Sequence, residues 1–164
     1  MGSWGKSFLR QVSKLEKLAE EPCKKHESKA KRNDIETSMT SGELITKITG
    51  GANLVDGKQT WEHAQTSKND IECMKKCCDA ELKAMEKTHL HVAAPFYFER
   101  VAILSRKEKN YQQEIDYCEK YMKAIEAFYK KHGTEGRADV RQGPCYARIM
   151  KRIPKAKELL AKSR

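Results

Sequence analysis

Apolar residues recur at steps of three and four along most of this chain, most densely between residues 95 and 129. Phe98, Val101, Ala102 and Ser105 share one helical face there, flanked by Tyr97 and Leu104. A polar run at 106–110 follows, with Asn110 placed to cap the next helix. Tyr111, Ile115, Cys118, Met122, Ile125 and Tyr129 then form one stripe, and Tyr117, Tyr121, Ala124 and Phe128 a second beside it. A helix apolar on two faces needs two neighbours, here its hairpin partner and the helix that follows. Pro95 is a favoured first-turn residue and Gly133 a stop, so the pattern predicts two antiparallel helices joined by a very short turn.

The same periodicity predicts flanking helices. Ile71, Met74, Cys78, Leu82 and Met85 mark a helix that starts near Ser67, with Ser67 and Asp70 as a capping pair, and closes over 89–94. Tyr146, Ile149, Met150, Ile153 and Leu160 mark a last helix, which Pro154 is expected to kink or restart. At the other end, Trp4, Phe8, Val12, Leu15 and Ala19 predict an amphipathic helix over 4–20 that stops at Pro22. Lys6, Arg10, Lys14 and Lys17 line another face of it. Periodicity is weak over 22–60, which reads as a partly disordered linker. Only ELITKIT, at 43–49, has strand character there. The expected organisation is a helix over 1–21, a linker over 22–60 and a helical domain over 61–164.

The fold class expected is therefore all-α, built of antiparallel helical hairpins. Charge adds one point. The chain of 164 residues carries a formal net charge of +10, and the excess lies at its two ends. Residues 1–32 hold nine Lys/Arg against four Glu, and residues 144–164 hold seven against Glu158 alone. Basic ends attract phosphates, nucleic acid or an anionic membrane, and also keep a protein in solution. In the last helix Arg148, Lys151, Arg152 and Lys155 are the candidate phosphate or nucleic-acid contacts. The 4–20 helix is the candidate membrane-surface tether.

Candidate chemistry is sparse. Cys73 and Cys77 share a helix face and Cys78 adjoins them, but CxxxCC is no common zinc spacing, so these read as core residues. Cys23-x-x-His26 lacks a second half. His89 and His91 would point about 200° apart on a persisting helix. GSWGKS lacks the four-residue gap of a phosphate loop. No catalytic constellation, metal set or cofactor motif emerges. With six cysteines, two of them adjacent, and no leading apolar run of signal-peptide type, the thiols read as reduced and the location as cytoplasmic. No apolar run approaches the roughly 20 residues needed to cross a bilayer.

Phe98, then Val101 and Ala102, then Tyr111 after a tight turn is a spacing that resembles one tetratricopeptide repeat. The resemblance covers 95–128. It departs at Glu114 and Cys118, where the family has a small residue and an aromatic, and at Tyr121, where a small residue is usual. It implies tetratricopeptide-like packing and a non-enzymatic adaptor role, with a peptide or protein bound in a groove by Tyr97, Arg100, Tyr117 and Tyr121. Such repeats usually need about three copies for a continuous core, so a cap, a second copy of the chain or the N-terminal helix is expected to complete it.

Overall fold

The computed structural model describes residues 39–163, which lie within one compact unit that starts at Ser38. The predicted 4–20 helix, the part of the expected 22–60 linker that precedes residue 39, and Cys23 with His26 lie outside the described residues. From 39 onward the chain is mostly helical, and the all-α expectation holds.

The first element, α1 (Ser41–Thr49), occupies the stretch expected to have strand character. The reason is a reciprocal cap. Thr40 Oγ1 accepts the Glu43 amide at 3.3 Å, and the Glu43 carboxylate accepts the Thr40 amide at 2.7 Å. Gly50, at φ +60°, ends the helix in the left-handed region. The β-branched threonines are accommodated because Thr46 and Thr49 donate to the carbonyls of Gly42 and Ile45. A two-strand ribbon follows, β1 (Leu54–Val55) antiparallel to β2 (Lys58–Gln59). Asp56 and Gly57 both have positive φ, the geometry a two-residue hairpin demands and an Asp-Gly pair supplies. Then comes α2 (Thr60–Thr66), so the described part of the expected linker is a helix and a hairpin.

The main body is α3 (Ile71–Lys87), α4 (Pro95–Lys107), α5 (Tyr111–His132), a 3-10 turn (Val140–Gln142) and α6 (Pro144–Lys162). Asp70 alone caps α3: its Oδ1 accepts the amides of Glu72 and Cys73, while Ser67 ends α2. Residues 88–94 do not extend α3 but form an irregular connection, because the buried Glu81 carboxylate claims the Ala94 amide and His91. Pro95 opens α4, Asn110 caps α5 through the Gln113 amide, and Gly133 closes it, as the pattern predicted. The α4–α5 turn is only 108–110, with Lys109 at φ +58°.

Pro154 does not break α6. It is exposed, as is Met150 one turn earlier, so the carbonyl that loses its partner stands on the solvent face.

The core is the meeting of α4 with its neighbours. α3 and α5 each pack on α4, and α6 packs on both α4 and α5. Phe98, Val101, Ala102 and Ser105 are fully buried, as are Cys118, Tyr121 and Ile125 of α5 and Ile149 of α6. The Phe98 and Tyr121 rings lie 4.6 Å apart. Each large side chain so buried contributes about 1.5–3 kcal/mol. Both predicted α5 stripes point inward, because one meets the hairpin partner while the other reaches its second neighbour. Ala102, Ser105 and Cys118 are small, which lets the hairpin helices approach closely.

Candidate functional site

The residues that the sequence proposed as a peptide-binding set do not form a surface. Tyr97 and Tyr121 are buried. Burial pushes both phenols up, and the Tyr121 hydroxyl donates to the Ala93 carbonyl at 3.0 Å. Their size and apolar rings fill the interhelical core, so neither can offer its side chain to a partner. Tyr117 is half-buried, with the Lys120 ammonium 5.7 Å from its ring centre and its phenol pushed up to about 12 by burial. Arg100 is half-buried and donates to the Lys68 carbonyl and the Asn69 side chain, tying α4 to the turn before α3. The four residues thus serve different parts of the fold.

Three of the four residues in the proposed phosphate set take part in ion pairs. Arg148 pairs with the buried Glu99, and its guanidinium also reaches Cys145 Sγ at 3.0 Å. Arg152 donates to Glu114 Oε1 at 3.0 Å, and Arg106 donates to both oxygens of the same carboxylate at 2.8 Å. Glu114 is fully buried, so α4, α5 and α6 are joined through one carboxylate. Lys155 and Lys162 both hold Glu158, whose carboxyl they pull down to about 2. Lys157 pairs with Glu119 at 2.9 Å. Of the four predicted contacts, Lys151 alone has no ion-pair partner among the described residues. Arg148, Arg152 and Lys157 of α6 thus bridge to other helices, a role invisible in a one-dimensional charge count.

What the fold leaves open lies elsewhere. α3 and α5 both lean on α4 without packing closely on each other. Between them runs an open groove of about 320 Å³, near the lower end for ligand sites. Leu82, Met85 and Phe128 line it together with Ala124 and Ala127, and Glu86, Lys131 and His132 form its polar edge. Lys123, Ala127 and Lys131 are exposed and fall one helical turn apart, so a lysine brackets the groove's small wall on each side. Desolvation, with the nearby charges of Lys131 and Arg137, holds His132 below its ordinary pKa. Its ring lies 4.9 Å from Phe128, so near neutrality it extends the apolar wall. The sequence carried part of the signal for this groove: Ala124 stands between Tyr121 and Phe128 in the second α5 stripe, and Ala127 lies next to Phe128. Small residues between two splayed helices leave space.

A polar cluster is centred on Glu81, one residue before the groove-lining Leu82. Glu81 Oε1 accepts from Thr60 Oγ1 at 2.6 Å, and Oε2 meets His91 Nε2 at 3.1 Å and the Ala94 amide at 3.0 Å. This buried carboxylate fastens α2 and the 88–94 connection to α3, and every acceptor is engaged internally. Among the described residues, no three His, Cys, Asp or Glu side chains are disposed to hold a metal ion. The five described cysteines are free thiols. No described helix is long and apolar enough to cross a membrane. The chain matches no protein-family model, and no curated protein or solved structure matches it either.

Proposed function

We propose that this chain is a non-enzymatic protein-interaction module with tetratricopeptide-like helix packing, and that it binds a partner helix in the α3–α5 groove. The observation that carries the reading is the groove itself, an apolar floor of Leu82, Met85 and Phe128 left uncovered between two helices. A helix laid there would insert apolar side chains spaced at i, i+4 and i+7. The flanking Lys123 and Lys131 favour acidic residues beside that apolar stripe. The hairpin packing supports the architectural part: Phe98, Val101 and Ala102 lie in the interface, and α6 returns against both hairpin helices. The phosphate-binding alternative has less support, because Arg148 and Arg152 direct their donors at buried glutamates. The membrane-tether alternative rests on residues 4–20, outside the described residues.

The test uses a synthetic helical peptide with leucines at i, i+4 and i+7 and glutamates on both flanks, read by fluorescence anisotropy. Ala127→Glu, at an exposed position on the groove wall, is expected to weaken binding at least about tenfold. Equal binding by a folded Ala127→Glu variant, or none to the parent chain at low salt, overturns the reading. Concentration-dependent sedimentation abolished by the same variant would instead assign the groove to a second copy of the chain.

A further inference from the structure

Cys73 and His63 form a thiol–imidazole pair remote from the groove residues. Cys73 is the third residue of α3 and half-buried, and its Sγ lies 3.3 Å from His63 Nδ1. His63, in α2, is only 7% exposed, and its Nε2 lies 2.9 Å from the Val55 carbonyl oxygen at the end of β1. A carbonyl can only accept, so Nε2 carries the hydrogen and Nδ1 presents its lone pair to the thiol. Three elements therefore supply three parts: α3 the nucleophile, α2 the base, and the hairpin the group that fixes the base's tautomer. That is the arrangement by which proteins activate a thiol.

The other described cysteines are placed differently. Cys77, Cys78 and Cys118 are fully buried. Burial pushes the thiols of Cys77 and Cys118 up to about 12 and that of Cys78 further. Cys145 is also pushed up, first by desolvation and then by Glu99. None of these has an imidazole against its sulfur among the described hydrogen bonds.

We propose that Cys73 is a nucleophilic, oxidant-sensitive thiol, with His63 as its base, that reacts stoichiometrically with hydroperoxides. The thiol proton passes to His63 Nδ1, and the thiolate sulfur attacks one peroxide oxygen. An S–O bond forms as the O–O bond breaks. The departing hydroxide takes the proton from His63 and leaves as water when the oxidant is hydrogen peroxide. Sulfur loses two electrons, the peroxide gains them, and Cys73 is left as a sulfenic acid. Cys77 adjoins Cys73, but Cβ atoms four residues apart on a helix lie about 5–6 Å from each other. A disulfide needs them at about 3.5–4.5 Å, so a Cys73–Cys77 bridge would require the first turn of α3 to unwind. The sulfenic acid is therefore the product, open to an external small thiol.

The full chain is treated with hydrogen peroxide and then dimedone, which tags sulfenic acids, and the adducts are mapped after trypsin. Cleavage at Lys68 and Lys75 releases Cys73 apart from Cys77 and Cys78, so the assignment is unambiguous. The expected adduct is on the Cys73 peptide and forms about tenfold or more faster than on Cys145. In parallel, iodoacetamide should alkylate Cys73 faster in the folded chain than in denaturant. His63→Gln, which can still donate to the Val55 carbonyl but cannot act as a base, should slow both reactions about tenfold or more. The proposal fails if Cys73 is labelled more slowly in the folded chain than in denaturant. It fails equally if a folded His63→Gln variant reacts at the parent rate. Should that variant not fold, the folded-against-denatured ratio of the parent chain decides alone.

Discussion

Glu114 offers the sharpest quantitative test of how α6 is held. Its carboxylate is fully buried and accepts from Arg106 and Arg152, whose side chains are 32% and 21% exposed. Glu114→Gln keeps the shape but removes the charge, leaves one acceptor oxygen and turns an amide N–H₂ toward a guanidinium. Breaking one side of a fully buried ion pair destabilises a protein by about 3–5 kcal/mol. Here the two guanidinium groups can still reach water, and the neutral amide is easier to desolvate than a carboxylate, so the expected loss is smaller, about 2 kcal/mol. With a urea m-value of about 2 kcal/mol/M, the denaturation midpoint should fall by about 1 M. Far-UV circular dichroism follows it directly. A double-mutant cycle with Arg152→Met isolates the α5–α6 link and should give a coupling of about 1 kcal/mol. Glu158→Gln is the control: its lysine partners are exposed, so the midpoint should stay where it is. A Glu114→Gln variant within about 0.5 kcal/mol of the parent, or additive losses in the cycle, would refute the view that this carboxylate joins the three helices.

Two further predictions concern stability. Tyr121→Phe removes the donor to the buried Ala93 carbonyl, which should cost about 1–2 kcal/mol and lower Tm by about 3–6 °C. An unchanged melting curve would mean that carbonyl finds another partner. Burial would raise the Glu99 carboxyl, but hydrogen bonds from Arg148 and Cys145 and the charges of Arg148 and Arg152 outweigh it and hold Glu99 below 4.5. A depressed folded pKa contributes stability that is complete above the unfolded value and lost as pH falls through the folded one. The parent should therefore lose stability on acidification from about pH 5 to about pH 3, and Arg148→Met, weaker at neutrality, should lose less over that interval. Parallel slopes in urea titrations at the two pH values would sink this assignment.

The elements that could be read from sequence are those set by local interactions. Asn110, Pro95 and Gly133 fixed three helix ends, because caps and stops act within one turn of the chain. The stripes of α5 named its buried faces, because a 3.6-residue period maps position onto direction whatever the neighbours are. Local chemistry also sets the Thr40–Glu43 cap and the Asp56–Gly57 turn, where a hydrophobic count has little to register.

Tertiary structure decided what the inward and outward positions do. Tyr97 and Tyr121 have side chains suited equally to a groove or a core, and only the arrival of neighbouring helices buried them. Arg148 and Arg152 looked like free cations because their partners, Glu99 and Glu114, lie on other helices, 49 and 38 residues away. The α3–α5 groove exists because both helices lean on α4 rather than on each other, a crossing geometry that periodicity does not encode. The Cys73–His63 pair likewise depends on a two-strand ribbon that presents one carbonyl to an imidazole eight residues on. Sequence alone determined where the main helices start and stop and which of their faces are apolar. Which of them meet, and which surface stays uncovered, was decided by long-range packing, since contact energies depend on distances the chain sets only when folded.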